Sequence, residues 1–512
     1  MDITDSAGRA AYISFIVSLC YCTDYELGYD PTVVWNADKK YWVIKCPDSA
    51  AAKDGEMRVV KYYARDPIFE AERLFGRHTR GFAASLDPNL VDKPDTFIKD
   101  AWSYESSDSQ HTSRNELDIL WDIEEQIGKD KMDMLGVIRA INGGIVCFSK
   151  AGNLVNDDTS NILEPIFADF ETALCKTPSV LIISKGRALA EENLTRNISL
   201  RVHRRLALQP LGRPLHTLKS PYELIIVLAD VMVAHSTILK KSGYLHRDIS
   251  PNNIMVVDDG ERIHGLLIDF DHAIKTDKSR LALAEHAGTL PFMSICNLQN
   301  SEIQRSELDD WESLLYVVCW LGVYGVSQDE QVAYRKAIDA ARKVGEYYRH
   351  PLAKWNAGSC EDVADTKLVN LISDSSFNRS VLCYFQKGTA YDKLKYLARS
   401  LRFELFANSE LGRPYQGLFD IDDMPDAKSF GKRVKSLGIR IKSLGRHTEV
   451  PEVDVNDSEE DEKYYSIKYV NPFEKRLEPK ARKHINGDLL ALMSECKEAA
   501  IAALYEKSKG DF

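Results

Sequence analysis

Three polar side chains near the middle of the chain have the types and spacing for phosphoryl transfer from ATP. Asp248 and Asn253 lie in Leu245-His246-Arg247-Asp248-Ile249-Ser250-Pro251-Asn252-Asn253-Ile254-Met255. Asp269 follows in Leu267-Ile268-Asp269-Phe270-Asp271, an apolar run that turns acidic. Moving a γ-phosphate takes a carboxylate that orients the acceptor hydroxyl, and an Asn and an Asp whose oxygens hold Mg2+ against the phosphates. Asp248 suits the first duty, and Asn253 and Asp269 the second. Ile254-Met255-Val256-Val257, the turn Asp258-Asp259-Gly260 and a return strand from Gly265 to Ile268 predict a hairpin between them. Such a hairpin brings Asn253 close to Asp269 at the foot of both strands.

Other elements must bring charge to these groups. Lys99 ends the short strand Thr96-Phe97-Ile98-Lys99, and Glu116 opens a helical pattern from Leu117 to Met134 with Ile119, Leu120, Ile123 and Ile127 on its apolar face. A lysine from a sheet can grip the α/β-phosphates, and a helix glutamate can hold that lysine in place. Gly76 and Gly81, in Leu74-Phe75-Gly76-Arg77-His78-Thr79-Arg80-Gly81-Phe82, suit a loop whose backbone N–H groups cover phosphates. An ordinary tight turn accounts for the same residues. Tyr222 to Lys241 predicts an apolar helix stopped at Gly243, feeding directly into the Asp248 loop. Trp311 to Leu321 is apolar nearly all round and predicts a buried helix.

At 512 residues the chain exceeds what one compact core holds. Its 44% hydrophobic and 28% charged residues are those of an ordinary globular protein. A net charge of -11 argues against nucleic acid as a partner, because that affinity rests on neutralising phosphates. The ten cysteines include no Cys-x-x-Cys pair, so reduced thiols in the cytoplasm or nucleus are expected. The apolar run Ala10 to Cys22 is too short to span a bilayer and predicts a buried helix; no membrane segment is expected. Asn36 to Lys40 predicts a turn between the strands Thr32–Trp35 and Tyr41–Ile44. Residues 148–200 are polar and uneven, as an insertion would be. Lys428 to His447 is basic, Glu449 to Glu462 is acidic, and Glu478 to Lys507 predicts an amphipathic helix. Opposed charge blocks of this kind suit a solvated tail.

The chain resembles the fungal-type protein kinases, a divergent branch of the eukaryotic protein kinase fold. The resemblance rests on Glu26-Leu27-Gly28-Tyr29-Asp30-Pro31-Thr32, Leu74-Phe75-Gly76-Arg77, Ile98-Lys99-Asp100-Ala101-Trp102 and Gln209-Pro210-Leu211-Gly212-Arg213-Pro214-Leu215. Leu245 to Met255 and Leu267 to Asp271 are its most specific parts. Gly288-Thr289-Leu290-Pro291-Phe292-Met293, Asp309-Asp310-Trp311-Glu312-Ser313-Leu314 and Lys354-Trp355-Asn356 complete it. It implies ATP and Mg2+ as cofactors. By position, Asp248 is then the catalytic base, Asn253 and Asp269 are the metal ligands, and Lys99 is the phosphate-gripping lysine paired with Glu116. Gln209 and Leu211 lie in the segment that meets adenine through backbone groups. Gly288 to Met293 is the floor of a peptide site, and Asp310 braces the catalytic loop.

Four departures accompany the resemblance. Ser250 replaces a loop lysine, Asp271 the Gly of Asp-Phe-Gly, His78 a loop glycine, and Ser294-Ile295-Cys296 the usual Ala-Pro-Glu. The expected architecture is α+β, a two-lobed protein-kinase-like fold. It comprises an N-terminal elaboration at 1–65, an N-lobe at 66–215 with the insertion, a C-lobe at 216–412, and a flexible charged C-terminal tail at 413–512 with a terminal helix. The expected function is phosphorylation of Ser or Thr in protein substrates. The departures leave a pseudokinase scaffold open, and Asp-Phe-Asp leaves a small-molecule phosphotransferase open.

Overall fold

The computed structural model describes residues 6–21, 29–48, 58–71, 78–104, 115–150, 152–159, 201–260, 262–276, 288–299, 305–343, 352–371, 373–407 and 479–510. The chain separates into two compact units. The first comprises residues 1–214, 233–244 and 253–273, and the second residues 215–232, 245–252 and 274–512.

The first unit is built on an eight-stranded sheet. Its strands are β1 (Val33–Asn36), β2 (Tyr41–Asp48), β3 (Arg58–Ala64), β4 (Phe69–Glu70), β5 (Arg80–Ser85), β6 (Thr96–Tyr104), β7 (Arg139–Ile145) and, later in the chain, Arg201–Gln209. With the hairpin β8 (Cys147–Lys150) and β9 (Asn153–Asn156) intervening, Arg201–Gln209 is β10. The order is β1-β2-β3-β5-β6-β10-β7, with β4 on β5. β7 also reaches back to β2 at the Asp48–Gly143 pair, so the sheet curls round on itself. Alternate residues of each strand face inward. Ile44, Cys46, Tyr62, Ala64, Phe82, Ala84, Ile98 and Ala207 form the resulting core. The boundary expected at residue 65 therefore falls inside this sheet, because β2 and β3 supply half of these core side chains.

Helix α1 (Ser6–Tyr21) corrects one expectation. It was expected to be buried, yet Tyr12, Ile13, Ile16, Val17 and Tyr21 are exposed. The helical pattern from Leu117 to Met134 is two helices, α2 (Glu116–Ile127) and α3 (Lys129–Leu135). Gly128, at φ 91°, breaks it. α2 starts where Asn115 accepts a hydrogen bond from the Asp118 N–H at 3.2 Å, an N-cap. α3 ends at Gly136, at φ 66°, where an added Cβ would stand 2.0 Å from the Gly265 carbonyl oxygen. Only glycine fits that position. The close approach lets Leu267 donate to the Gly136 carbonyl at 3.1 Å and Ile138 to the Leu267 carbonyl at 3.3 Å. The α2–α3 pair is thereby fastened to the strand that leads to Asp269.

α4 (Pro221–Ser242) ends at Gly243, at φ 76°, as expected. It is long and apolar enough to cross a membrane, but Leu224, Val227, Leu228, Val231, Met232 and Ala234 are buried in the fold. In the second unit, α5 (Ile295–Gln299) precedes α6 (Glu307–Tyr324), which is buried on nearly every side as its composition predicts. A capping box starts α6, with the Ser306 N–H donating to Asp309 at 2.8 Å. α7 (Gln328–Lys343), α8 (Cys360–Leu371), α9 (Asp374–Ser380), α10 (Thr389–Arg402) and the turn Phe403–Ala407 follow.

The terminal helix α11 (Pro479–Gly510) packs against α6, α10 and that turn. Leu489, Leu492, Met493 and Ala500 are buried, Asn486 accepts from the Trp311 indole N–H at 2.8 Å, and Lys497 pairs with Asp230. Asn486 to Ala500 is thus part of the second unit's core. The basic and acidic blocks at 428–462 lie outside the described residues. The described cysteines are all free thiols.

Candidate active site

The first unit brings Lys99, Glu116, Asn253 and Asp269 to one end of its sheet and hairpin. Lys99 lies on β6, opposite Gly81 of β5 and Leu206 of β10. Its ammonium is 2.6 Å from Glu116, 2.7 Å from Asp269 and 2.9 Å from Asp271. The other Glu116 oxygen accepts the Phe270 N–H at 2.9 Å, so one glutamate fixes both the lysine and the Asp-Phe-Asp segment. The expected hairpin is present as β13 (Ile254–Asp258) and β14 (Ile263–Leu267), following the short β11 (Arg213–Pro214) and β12 (Tyr244–Leu245). Ile254 faces Leu267, and the Ile268 N–H donates to the Asn253 carbonyl at 3.1 Å. Asn253 is therefore beside the residue preceding Asp269. Asp269 itself takes the left-handed conformation, φ 64°, unusual outside glycine and found where function constrains the backbone.

Burial pulls the Lys99 pKa down, but Asp269, Asp271 and Glu116 outweigh it and hold the ammonium well above the usual lysine value. Burial pushes Glu116 up to about 7 against the pull of Lys99, with Asp271 and Asp269 adding to the rise. Three carboxylates thus share one ammonium. Oxygens of Glu116, Asp269 and Asp271 lie within 4.8 Å of one another. A set of hard oxygen donors with excess negative charge suits Mg2+.

The neighbouring residue on β6 serves the opposite face of the sheet. Asp100 accepts from Arg205 at 2.9 Å, from His203 at 2.7 Å and from Arg80 at 2.7 Å. His203 meets Asp157 through its other ring nitrogen at 2.7 Å, so both ring nitrogens donate and the ring is an imidazolium. Trp102 stacks on it at 4.9 Å, and Arg205 also binds Asp30. Burial lowers the His203 pKa, but Asp100, and hydrogen bonds to Asp100 and Asp157, raise it to about 9. This network locks β6 from behind and so limits where Lys99 can stand.

The remaining expected positions have local explanations. Gly81 lies in a strand, where an added Cβ would meet the Phe97 ring at 2.5 Å, so close packing accounts for it. Gly76 lies outside the described residues. Gln209 ends β10 and donates to the Thr96 hydroxyl at 2.8 Å. The Leu211 N–H donates to the Asp95 carbonyl at 3.1 Å, so that amide is already engaged within the fold.

In the second unit, Asp248 is buried, and one of its oxygens accepts both the N–H and the hydroxyl of Thr289 at 2.8 Å. The loop around it is held by Asp310, whose two oxygens accept the His246 N–H at 3.1 Å and the Arg247 N–H at 3.0 Å. Arg247 is left-handed, φ 69°. A strained backbone of this kind costs about 1–3 kcal/mol and persists only where its surroundings over-determine it. The brace expected of Asp310 is in place.

Sequence reasoning missed three contributors. Asp271 is an ion-pair partner of Lys99 as well as a substitute for a hinge glycine. Thr289 holds Asp248. The His203–Arg205–Asp100–Asp30 network had one visible signal: the basic cluster Arg201, His203, Arg204 and Arg205 in one strand.

The fungal protein kinase family matches over residues 1–322. No curated protein matches. Among solved structures, the kinase PK-1 of Cydia pomonella granulovirus is 8% identical, with 48% of this chain and 67% of that one covered. Its TM-score is 0.26.

Proposed function

The chain belongs to the fungal protein kinase family, and from that premise we propose that it transfers the γ-phosphate of ATP to Ser or Thr hydroxyls of protein substrates, with Mg2+. The observation that carries this reading is the buried Lys99–Glu116 pair at 2.6 Å with Asp269 on the same ammonium. In this reading Lys99 binds the α/β-phosphates and Glu116 keeps it from swinging away. Asp269 and Asn253 hold the metal, which when bound neutralises phosphate charge. Asp248 accepts the proton of the acceptor hydroxyl, and Thr289 keeps its carboxylate from rotating. The net charge of -11 favours protein over nucleic-acid partners. The cytoplasm or nucleus suits the free thiols.

One observation favours a second reading, a nucleotide-binding scaffold without turnover. Asp269 and Asp271 both grip the lysine that the phosphates need. Labelled ATP and Mg2+, incubated with the protein alone and with a peptide library, separate the two. Phosphorylated peptide supports transfer; stoichiometric nucleotide binding without product supports the scaffold. Asp248→Asn should keep nucleotide affinity and lose most transfer, whereas Asp269→Asn should also weaken Mg·ATP binding. Equal transfer by wild type and both variants would overturn the assignment.

A further inference from the structure

Lys367, on α8, is fully buried, which is costly for lysine unless its nitrogen is hydrogen-bonded. Its Nζ donates to the Met293 carbonyl at 2.6 Å, faces the Leu290 carbonyl at 3.5 Å and lies 4.0 Å from the centre of the Tyr316 ring. A cation over an aromatic face gains electrostatic attraction, more so when desolvated. The Leu290 carbonyl lies within the 3-10 turn Leu290–Phe292, and the Met293 carbonyl follows it directly. The turn is closed by the Phe292 N–H on the Thr289 carbonyl at 2.8 Å. Thr289 in turn holds Asp248 through both its N–H and its hydroxyl. Hydrogen bonds joined through the backbone of this turn therefore link the buried Lys367 nitrogen to the carboxylate of Asp248.

The residues after the turn show why such a prop is needed. Ser294-Ile295-Cys296 has no carboxylate of its own with which to anchor the segment. The segment is held from α6 and α8 instead. Ser294 donates to Asp309 at 2.6 Å, the Ile295 N–H donates to Glu312 at 2.7 Å, and Lys367 takes the Met293 carbonyl. Lys367 alone reaches back to the turn itself among these three. Burial pulls its pKa down to about 7 against Glu312. A neutral amine keeps two N–H donors, so the link persists in either protonation state.

We propose that Lys367 is a positioning residue that fixes, through the Leu290–Phe292 turn, the Thr289 groups that hold the Asp248 carboxylate. The kinetic part of this proposal rests on the reading of Asp248 as the base. Lys367→Met keeps length and bulk and removes every donor. Its kcat should fall on the order of 10- to 100-fold, as for a misplaced catalytic group, while the KM for ATP changes by less than about twofold. Amide hydrogen exchange at Phe292 and Ile295 should quicken, with that of β6 and β10 unchanged. Thr289→Val cuts the same connection further along. The double variant should lose little more than the worse single variant.

Wild-type kcat and exchange in Lys367→Met would overturn the proposal, and so would losses that add. If the unaltered protein transfers no phosphate, the kinase reading fails, and the exchange comparison still judges Lys367. If Lys367→Met does not fold, Lys367→Gln, which keeps an N–H donor on a shorter stem, takes its place. An intermediate kcat is then expected, and an unchanged one overturns the proposal.

Discussion

At the scale of residues, Lys99 has three carboxylates within 2.9 Å, yet only Glu116 among them approaches from a helix. Glu116 is also the acceptor for the Phe270 N–H, so its two oxygens hold two segments in register. The pair should behave as a unit. Lys99→Met and Glu116→Gln are each expected to impair the use of ATP, and the double variant to cost little more than the worse single one. Steady-state kinetics on the four proteins checks this, and strictly additive losses would show that the two side chains act separately. The pairing of Lys99 with Glu116 and the hairpin that sets Asn253 beside the residue before Asp269 were legible from residue types and their order along the chain. Lys367 was not. It sits in a helix with polar and charged neighbours along the chain, and nothing in its local sequence distinguishes it from a solvated lysine.

At the scale of elements, the hairpin was legible because two short apolar runs flank the turn residues Asp258-Asp259-Gly260. The buried helix α6 was legible from Trp311 to Leu321, which is apolar nearly all round. Three features escaped. α1 is apolar but exposed, and composition does not say whether a partner surface is present. Gly128 divides α2 from α3 although the apolar spacing continues across it. The docking of α11 was hidden because an amphipathic stripe shows that a helix has a face, not where the face goes. Leu489 and Met493 are fully buried in that contact. Leu489→Ala or Met493→Ala should each cost about 2–5 kcal/mol, the range for large-to-small changes in a packed site. Denaturant unfolding of the variants measures this, and an unchanged midpoint would mean that the helix contributes nothing to the second unit. Any shortening meant to remove the charge blocks has to spare residues 479–510.

At the scale of the whole molecule, stability should depend on pH through two buried bases of opposite sign. His203, in the first unit, is raised to about 9 from 6.5. Its contribution is complete below pH 6.5 and is lost as pH rises through about 9. Lys367, in the second unit, is lowered to about 7 from 10.5, so its burial costs stability below pH 7, and that cost fades as pH rises towards 10.5. Melting curves of wild type and His203→Gln between pH 6 and 9.5 separate the two effects. The wild type should be the more stable at low pH, with the gap closing towards high pH. A gap that stays constant would show that the imidazolium is not the form that the first unit binds.

The turn Phe403–Ala407 and α11 are separated by residues 408–478 in the sequence, and α11 packs on that turn. A single peptide-bond cut between those points would therefore not release the terminal segment. The helix would remain as a non-covalent subunit of its own parent, having lost only the covalent link that keeps it near its site. A synthetic peptide of residues 479–512 should accordingly rebind a chain ending at 478 and raise its melting temperature in a saturable way, and a peptide carrying Leu489→Asp should not.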